Sequence, residues 1–268
     1  MRYYDAHNHL QAPSLKPHLP AVLETLEQIG IAGAVVNGTL DADWEAVARL
    51  ARKRPWVIPS YGIHPWRLRE RAENWEALLR ARLDEGGAVG EIGLDRWKEG
   101  ADLEDQEAVF RAQLRLAAER NLPATIHCLR AWGALWDILR SEPVPARGFL
   151  LHAYGGPVEM IDGFAGRGAY FSFNGSFLAE QRERKREAFR EVPLDRLLVE
   201  TDAPAMPVPA ELDLFPLPDD SEGERVNHPG NVAVAYEGLA ALRGVNIGEL
   251  AAAVEENFWR LFGRAKIC

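Results

Sequence analysis

The sequence predicts an α/β protein folded as a single (β/α)8 barrel of the TIM type over residues 1–268, with its active site at the C-terminal ends of the strands. Three observations lead there. Short apolar segments alternate with amphipathic ones along almost the entire chain, which is the pattern of parallel strands joined by helical crossovers. Eight such apolar segments can be counted, and an eighth unit can close the sheet on itself. The length of 268 residues suits one closed barrel, which takes ~250.

In chain order the candidate strands are Arg2 to Asp5, Gly33 to Val36, Trp56 to Tyr61, Ala88 to Glu91, Ala124 to His127, Gly148 to Leu151, Ala169 to Phe173 and Leu197 to Glu200. Between them lie amphipathic segments: Ala21 to Gln28, Asp43 to Arg52, Trp75 to Arg82, Leu103 to Arg120 and Ala131 to Leu139. Leu103 to Arg120 shows the helical period best, with Val109, Phe110, Leu114 and Ala117 recurring among charged residues. An open doubly wound sheet is the rival. Its dinucleotide-binding form needs a Gly-rich loop after the first strand, and here that place holds Asp5-Ala6-His7-Asn8-His9. One long irregular stretch, Ala203 to about Val226, is rich in proline and acid and follows the eighth strand directly, which reads as a lid or site wall.

Composition narrows the function classes. Hydrophobic residues make up 47% and charged residues 26%, enough apolar material for a large core. With 31 basic and 40 acidic side chains the net charge is −9, which argues against a broad nucleic-acid-binding surface or attachment to an anionic membrane. The two cysteines, Cys128 and Cys268, do not suggest a disulfide framework, and no uncharged stretch approaches the ~20 residues of a membrane span. A cytoplasmic protein is expected. The mixed-charge run Gln181 to Glu187 reads as a solvated helix face. Trp66 and Trp97 follow strands and are placed to wall a pocket or stack a base, whereas Trp136 and Trp259 are expected to pack helices.

The polar residues fall in a pattern that a barrel makes meaningful. His7, His9, His64, His127 and His152 stand at or just beyond the ends of predicted strands, as do Glu91 and Asp202. A barrel brings those ends to one face. His7 and His9, two apart on an extended segment, point the same way and can grip one ion. Four histidines and two carboxylates exceed one tetrahedral site, so two adjacent ions sharing a carboxylate are the economical reading.

These residues sit in segments that resemble the TatD-related metal-dependent hydrolases of the amidohydrolase-like superfamily. The matching segments are Tyr4 to Leu10, Gly62 to Pro65, Gly90 to Asp95, Pro123 to Cys128, His152 to Gly156 and Pro193 to Pro204, in family order; Asn227 to Pro229 and Asn257 to Gly263 look similar as well. The resemblance implies that His7, His9, Glu91, His127, His152 and Asp202 bind two divalent ions, of Zn, Mn, Mg, Ni or Fe, with Glu91 as the bridge. It implies a hydrolase, several members being deoxyribonucleases, that cleaves phosphoester bonds with a metal-activated water, on a small phosphoester or a DNA end.

Within that reading Glu91 and Asp202 are the catalytic carboxylates, Asp202 as proton acceptor. His64, Arg130, Tyr154 and Asn174 are candidate substrate contacts, and Asp5 a partner that orients a ligand histidine. The chain departs from the family pattern at Leu129, where an arginine is usual, and at Gln11, where an acid or asparagine is usual. Two other readings stay open on the sequence: hydrolysis of an amide or cyclic amide, and a metal-binding barrel without activity.

Overall fold

The computed structural model describes residues 1–98, 100 and 102–263. Eight parallel strands lie in sequence order: β1 (Tyr3–Asn8), β2 (Ile31–Asn37), β3 (Val57–Tyr61), β4 (Ala88–Asp95), β5 (Ala124–Leu129), β6 (Phe149–Leu151), β7 (Ala169–Asn174) and β8 (Leu197–Glu200). The helices among them are α1 (Leu19–Ile29), α2 (Trp44–Lys53), α3 (Trp75–Leu83), α4 (Leu103–Arg120), α5 (Trp132–Ser141), α6 (Ile161–Gly166), α7 (Glu183–Glu191), α8 (Val232–Arg243) and α9 (Ile247–Phe262). This is the barrel order the sequence predicts.

The first and last strands meet through their C-terminal ends. Asp202 donates its N–H to the His7 carbonyl at 2.9 Å, and His9 donates to the Ala203 carbonyl at 2.7 Å. Asp5 adds a side-chain tie, its carboxylate accepting the Thr201 N–H at 3.1 Å and hydroxyl at 2.7 Å. Burial pushes the Asp5 carboxyl up to about 7, against these hydrogen bonds.

Strands covered by helices outside and by one another inside have no wet face. Every residue of β4 is buried. The helices turn one stripe inward, and in α4 that stripe is Val109, Phe110, Leu114 and Ala117. The ends of α4 are set locally: the Asp102 carboxylate accepts the Asp105 N–H at 3.0 Å, and Asn121 closes the helix in the left-handed region at φ 49°. The bottom of the barrel is sealed by α9, where Phe258 and Trp259 pack on Tyr4 at ring separations of 5.0 and 5.6 Å. Trp136 packs on Phe164 at 5.2 Å, so both helix-packing tryptophans take the expected role.

Strand ends are where the structure departs from the sequence reading. β4 continues past Glu91 to Asp95, because Ile92 to Asp95 pair with Ile126 to Leu129 of β5. β1 likewise runs to Asn8, so His7 and Glu91 lie inside strands, not beyond them. Gly93 permits the close β4–β5 approach: it faces His127 at φ 146°, and an added Cβ would strike the His127 carbonyl. The stretch after β8 is irregular apart from one short turn of helix, Ala210–Leu212, and its start walls the cavity with Pro204 and Ala205. Among the described residues no helix is long and apolar enough to cross a membrane. Cys128 is a buried free thiol, and Cys268 lies outside the described residues.

Candidate metal centre

At the C-terminal rim the two oxygens of Glu91 face two different sets of nitrogens. Oε1 lies 2.9 Å from His152 Nε2, 3.1 Å from His127 Nδ1 and 3.3 Å from His64 Nε2. Oε2 lies 3.3 Å from His9 Nε2 and 3.5 Å from His7 Nε2. Asp202 Oδ1 joins the second set, 3.4 Å from His9 Nε2 and 3.5 Å from His7 Nε2. Ligand atoms of His7, His9 and Glu91 fall within 4.8 Å of one another, as do those of His7, His152 and Asp202, and those of His64, Glu91 and His127.

Hydrogen bonds at the outward nitrogens of His9 and His127 decide what their inward ones offer. His9 Nδ1 lies 2.7 Å from the Asn37 carbonyl, an acceptor, so Nδ1 carries the proton and Nε2 turns a lone pair to the cluster. His127 Nε2 lies 2.8 Å from Asp95 Oδ2, which leaves Nδ1 as the lone pair. His7 is flanked by the Asn37 side-chain amide at 3.2 Å and stacks on His152 at 3.9 Å, and His152 Nδ1 faces Glu200 at 3.6 Å. His64 is wired the other way. Its Nδ1 accepts the Trp66 N–H at 3.1 Å, so the neutral ring holds its proton on Nε2 and donates towards Glu91.

The charges agree with a donor set that attracts cations. Burial pushes Glu91 up, yet the imidazoles of His64, His152 and His7 hold it well below the usual carboxylate range. Asp202 is lowered in the same way, its burial outweighed by the hydrogen bond from His9 and the charges of His152 and His7. Burial lowers His9, but the Asp202 and Glu91 carboxylates overcome it and raise the ring to about 10, so a cation bound at Nε2 would displace a proton to reach the lone pair. Burial alone prevails at His64, lowered to about 4. Imidazole lone pairs and ionised carboxylates around a shared oxygen pair are the ligand chemistry of a divalent transition-metal centre, and the residues present fit one.

Above the cluster opens a cavity of about 500 Å3, lined by His9, His64, Glu91, His127, His152 and Asp202 on its floor and by Leu40, Trp66, Arg67 and Pro204 on its walls. Gln11 also lines it and donates to the Asn37 carbonyl at 2.7 Å.

Three of the proposed substrate contacts lie elsewhere. The Tyr154 ring is buried against Trp132 and Phe171, and its hydroxyl donates to the Pro157 carbonyl at 2.7 Å. Asn174 is fully buried and spends its amide on Glu200, Thr201 and Ser176. Arg130 is exposed at the end of β5, outside the cavity lining. Asp5 also departs from expectation, since it accepts the His7 backbone N–H at 3.2 Å and touches no imidazole.

The sequence reading missed the tethers. Asp95, which holds His127, ends the Gly-Glu-Ile-Gly-Leu-Asp run and so stood inside a resembling segment without a role. Gln106 and Gln113, one face of α4, each bind both backbone groups of a single residue: Asp95 at 2.8 and 2.9 Å, Ile63 at 2.7 and 3.2 Å. Buried glutamines on an otherwise apolar helix stripe were the signal available.

Fold and donor set together define a (β/α)8 barrel able to hold metal ions at its C-terminal rim. The chain belongs to the family described as TatD related DNase, whose sequence profile matches residues 4–263. YcfH of Escherichia coli K12, named an uncharacterized metal-dependent hydrolase, is 36% identical over 149 residues, 56% of this chain and 52% of that one. That match spans about half of the relative. A protein of Erwinia tasmaniensis named 3'-5' ssDNA/RNA exonuclease TatD is 33% identical over 245 residues, 90% of this chain and 92% of that one. The crystal structure of YjjV, a TatD homologue from Escherichia coli K12, superposes with a TM-score of 0.88 at 27% identity, covering 97% of each chain.

Proposed function

We propose that the chain is a hydrolase dependent on two divalent ions that cleaves phosphodiester bonds at the ends of single-stranded nucleic acid. The observation that carries this reading is the division of Glu91, with one oxygen towards His127 and His152 and the other towards His7 and His9. His7, His9 and Asp202 would hold one ion, His127 and His152 the other, and Glu91 both; Zn, Mn, Mg, Ni and Fe all accept such ligands. When bound, the ions supply Lewis acidity that lowers the pKa of water and offsets charge on phosphate oxygens.

The remaining chemistry belongs to side chains. Asp202 borders the cavity as an ionised carboxylate and accepts the proton of the attacking water. His64 borders the same cavity, and its Nε2–H, turned towards Glu91, would be shared with an oxygen of the phosphoryl group. Arg67 lines the wall and supplies a cation, its guanidinium held by Glu70 at 2.6 and 2.7 Å. The relative named as an exonuclease supports nucleic acid over a small ester. The compartment proposed with this activity is the cytoplasm, consistent with a free buried thiol at Cys128.

The test is release of nucleotides from an end-labelled single-stranded oligonucleotide by protein loaded with each metal in turn. Metal-dependent release that a chelator abolishes supports the reading. Absence of hydrolysis with every metal, on oligonucleotides and on bis(p-nitrophenyl) phosphate alike, refutes it.

A further inference from the structure

Eight tryptophans occur in the chain, and two of them, Trp66 at 42% and Trp97 at 54%, stay exposed. Burying such rings is favourable, so leaving two together in water beside a site marks a contact surface. The rings lie 6.3 Å apart with planes inclined at 37°, an open wedge against which a flat group can rest. We infer that Trp66 and Trp97 form a stacking wall for the nucleobase next to the bond that is cut, so that the enzyme holds a strand end by its base as well as by its phosphates. This rests on the phosphodiester reading above.

Both rings are fixed to the metal centre by their own backbones. Trp66 donates its N–H to His64 Nδ1 at 3.1 Å, and Trp97 donates to Asp95 Oδ1 at 2.7 Å, whose other oxygen holds His127. Each tryptophan stands two residues after the group it binds, so the loops that orient site residues also set the aromatic wall. The Trp66 ring is 5.1 Å from His64 and 6.0 Å from His127, and it lines the same cavity as Glu91 and Asp202.

Two cations stand at the wall, with Asp43 beside them on the cavity lining. Lys98 Nζ sits 5.6 Å over the Trp66 ring, and Arg67 follows Trp66 directly on the cavity wall. Glu70 offsets part of the Arg67 charge, so the ring faces that Lys98 leaves open, and not a dense cationic groove, are the main grip. Stacking on aromatic rings tolerates any base, which fits an enzyme acting on ends regardless of sequence.

The experiment compares two labelled oligothymidylates with cleavage-resistant phosphorothioate linkages, one complete and one abasic at its terminal nucleotide, by fluorescence anisotropy with metal-loaded protein. The wild type is expected to bind the complete strand about tenfold more tightly than the abasic one, the size of a typical base–aromatic stack. Trp66→Ala and Trp97→Ala keep the backbone N–H groups and should lose that preference, while Trp66→Phe should retain most of it. Unchanged preference in both alanine variants, or none in the wild type, overturns the inference. If the wild type hydrolyses oligonucleotides yet shows no base preference, the stacking wall alone falls; if it hydrolyses no phosphodiester, the reading beneath it falls too.

Discussion

The carboxylate of Asp95 and the imidazole of His127 meet at 2.8 Å, Oδ2 to Nε2, across paired strands β4 and β5. Gln106 pins both backbone groups of Asp95 from α4, so the tether is itself anchored. A carboxylate on the far nitrogen fixes the tautomer and raises the basicity of the near one. Asp95→Asn should therefore weaken metal binding by about 10–100-fold while leaving the fold in place. Calorimetric titration of the apo-protein measures this, and unchanged affinity would remove the tether from the account.

Asp202 borders the cavity and is held ionised by the charges around it. Asp202→Asn keeps the shape but loses the proton acceptor, and kcat on a phosphodiester should fall by ~10²–10⁴-fold. Retained activity in the metal-loaded variant would assign the proton to another group.

Gln113 binds the N–H and carbonyl of Ile63, the residue before His64, at 2.7 and 3.2 Å in a buried setting. Gln113→Met fills similar space but leaves two backbone groups unpaired, at a cost of about 2 kcal/mol or more. Denaturant unfolding checks the loss.

His228 carries a pH dependence of stability. Its buried ring packs on Phe215, and Nδ1 accepts the Gly230 N–H at 2.8 Å, which requires the neutral form. Burial lowers its pKa from 6.5 to about 4, with Asp213 opposing. The unfolded chain therefore binds the proton more readily than the folded one between those values. The contribution is fully present above pH 6.5, declines as pH falls towards 4 and is worth at most about 3 kcal/mol. His228→Asn can still accept the Gly230 N–H and should flatten this part of the stability curve. An identical slope in the variant would show that His228 is not its source.

Strand order and the convergence of distant histidines were legible because both follow from periodicity and from what a barrel does with strand ends. All eight strands appear where short apolar segments stand. Strand length was less legible: the charged Glu91 closes the short apolar run from Ala88, whereas β4 runs on to Asp95 and Gly93 lets β4 and β5 approach. Tyr154 and Asn174 were misplaced for a related reason. Tyr154 follows β6 and Asn174 ends β7, but a tyrosine can point into the wall and an asparagine can be consumed by neighbouring groups, and only packing decides which. The Asp95 tether, set by β4–β5 register, and the Gln106 and Gln113 anchors, set by the facing of α4, are relations between elements that no local pattern encodes.

The central claim is that Glu91 is shared by two metal ions. Elemental analysis together with titration of the apo-protein with Mn2+ or Zn2+ tests it most directly. The account predicts about two ions per chain, with Glu91→Gln lowering the affinity of both. Absence of stoichiometric metal binding in a chain with His7, His9, Glu91, His127, His152 and Asp202 intact would contradict it.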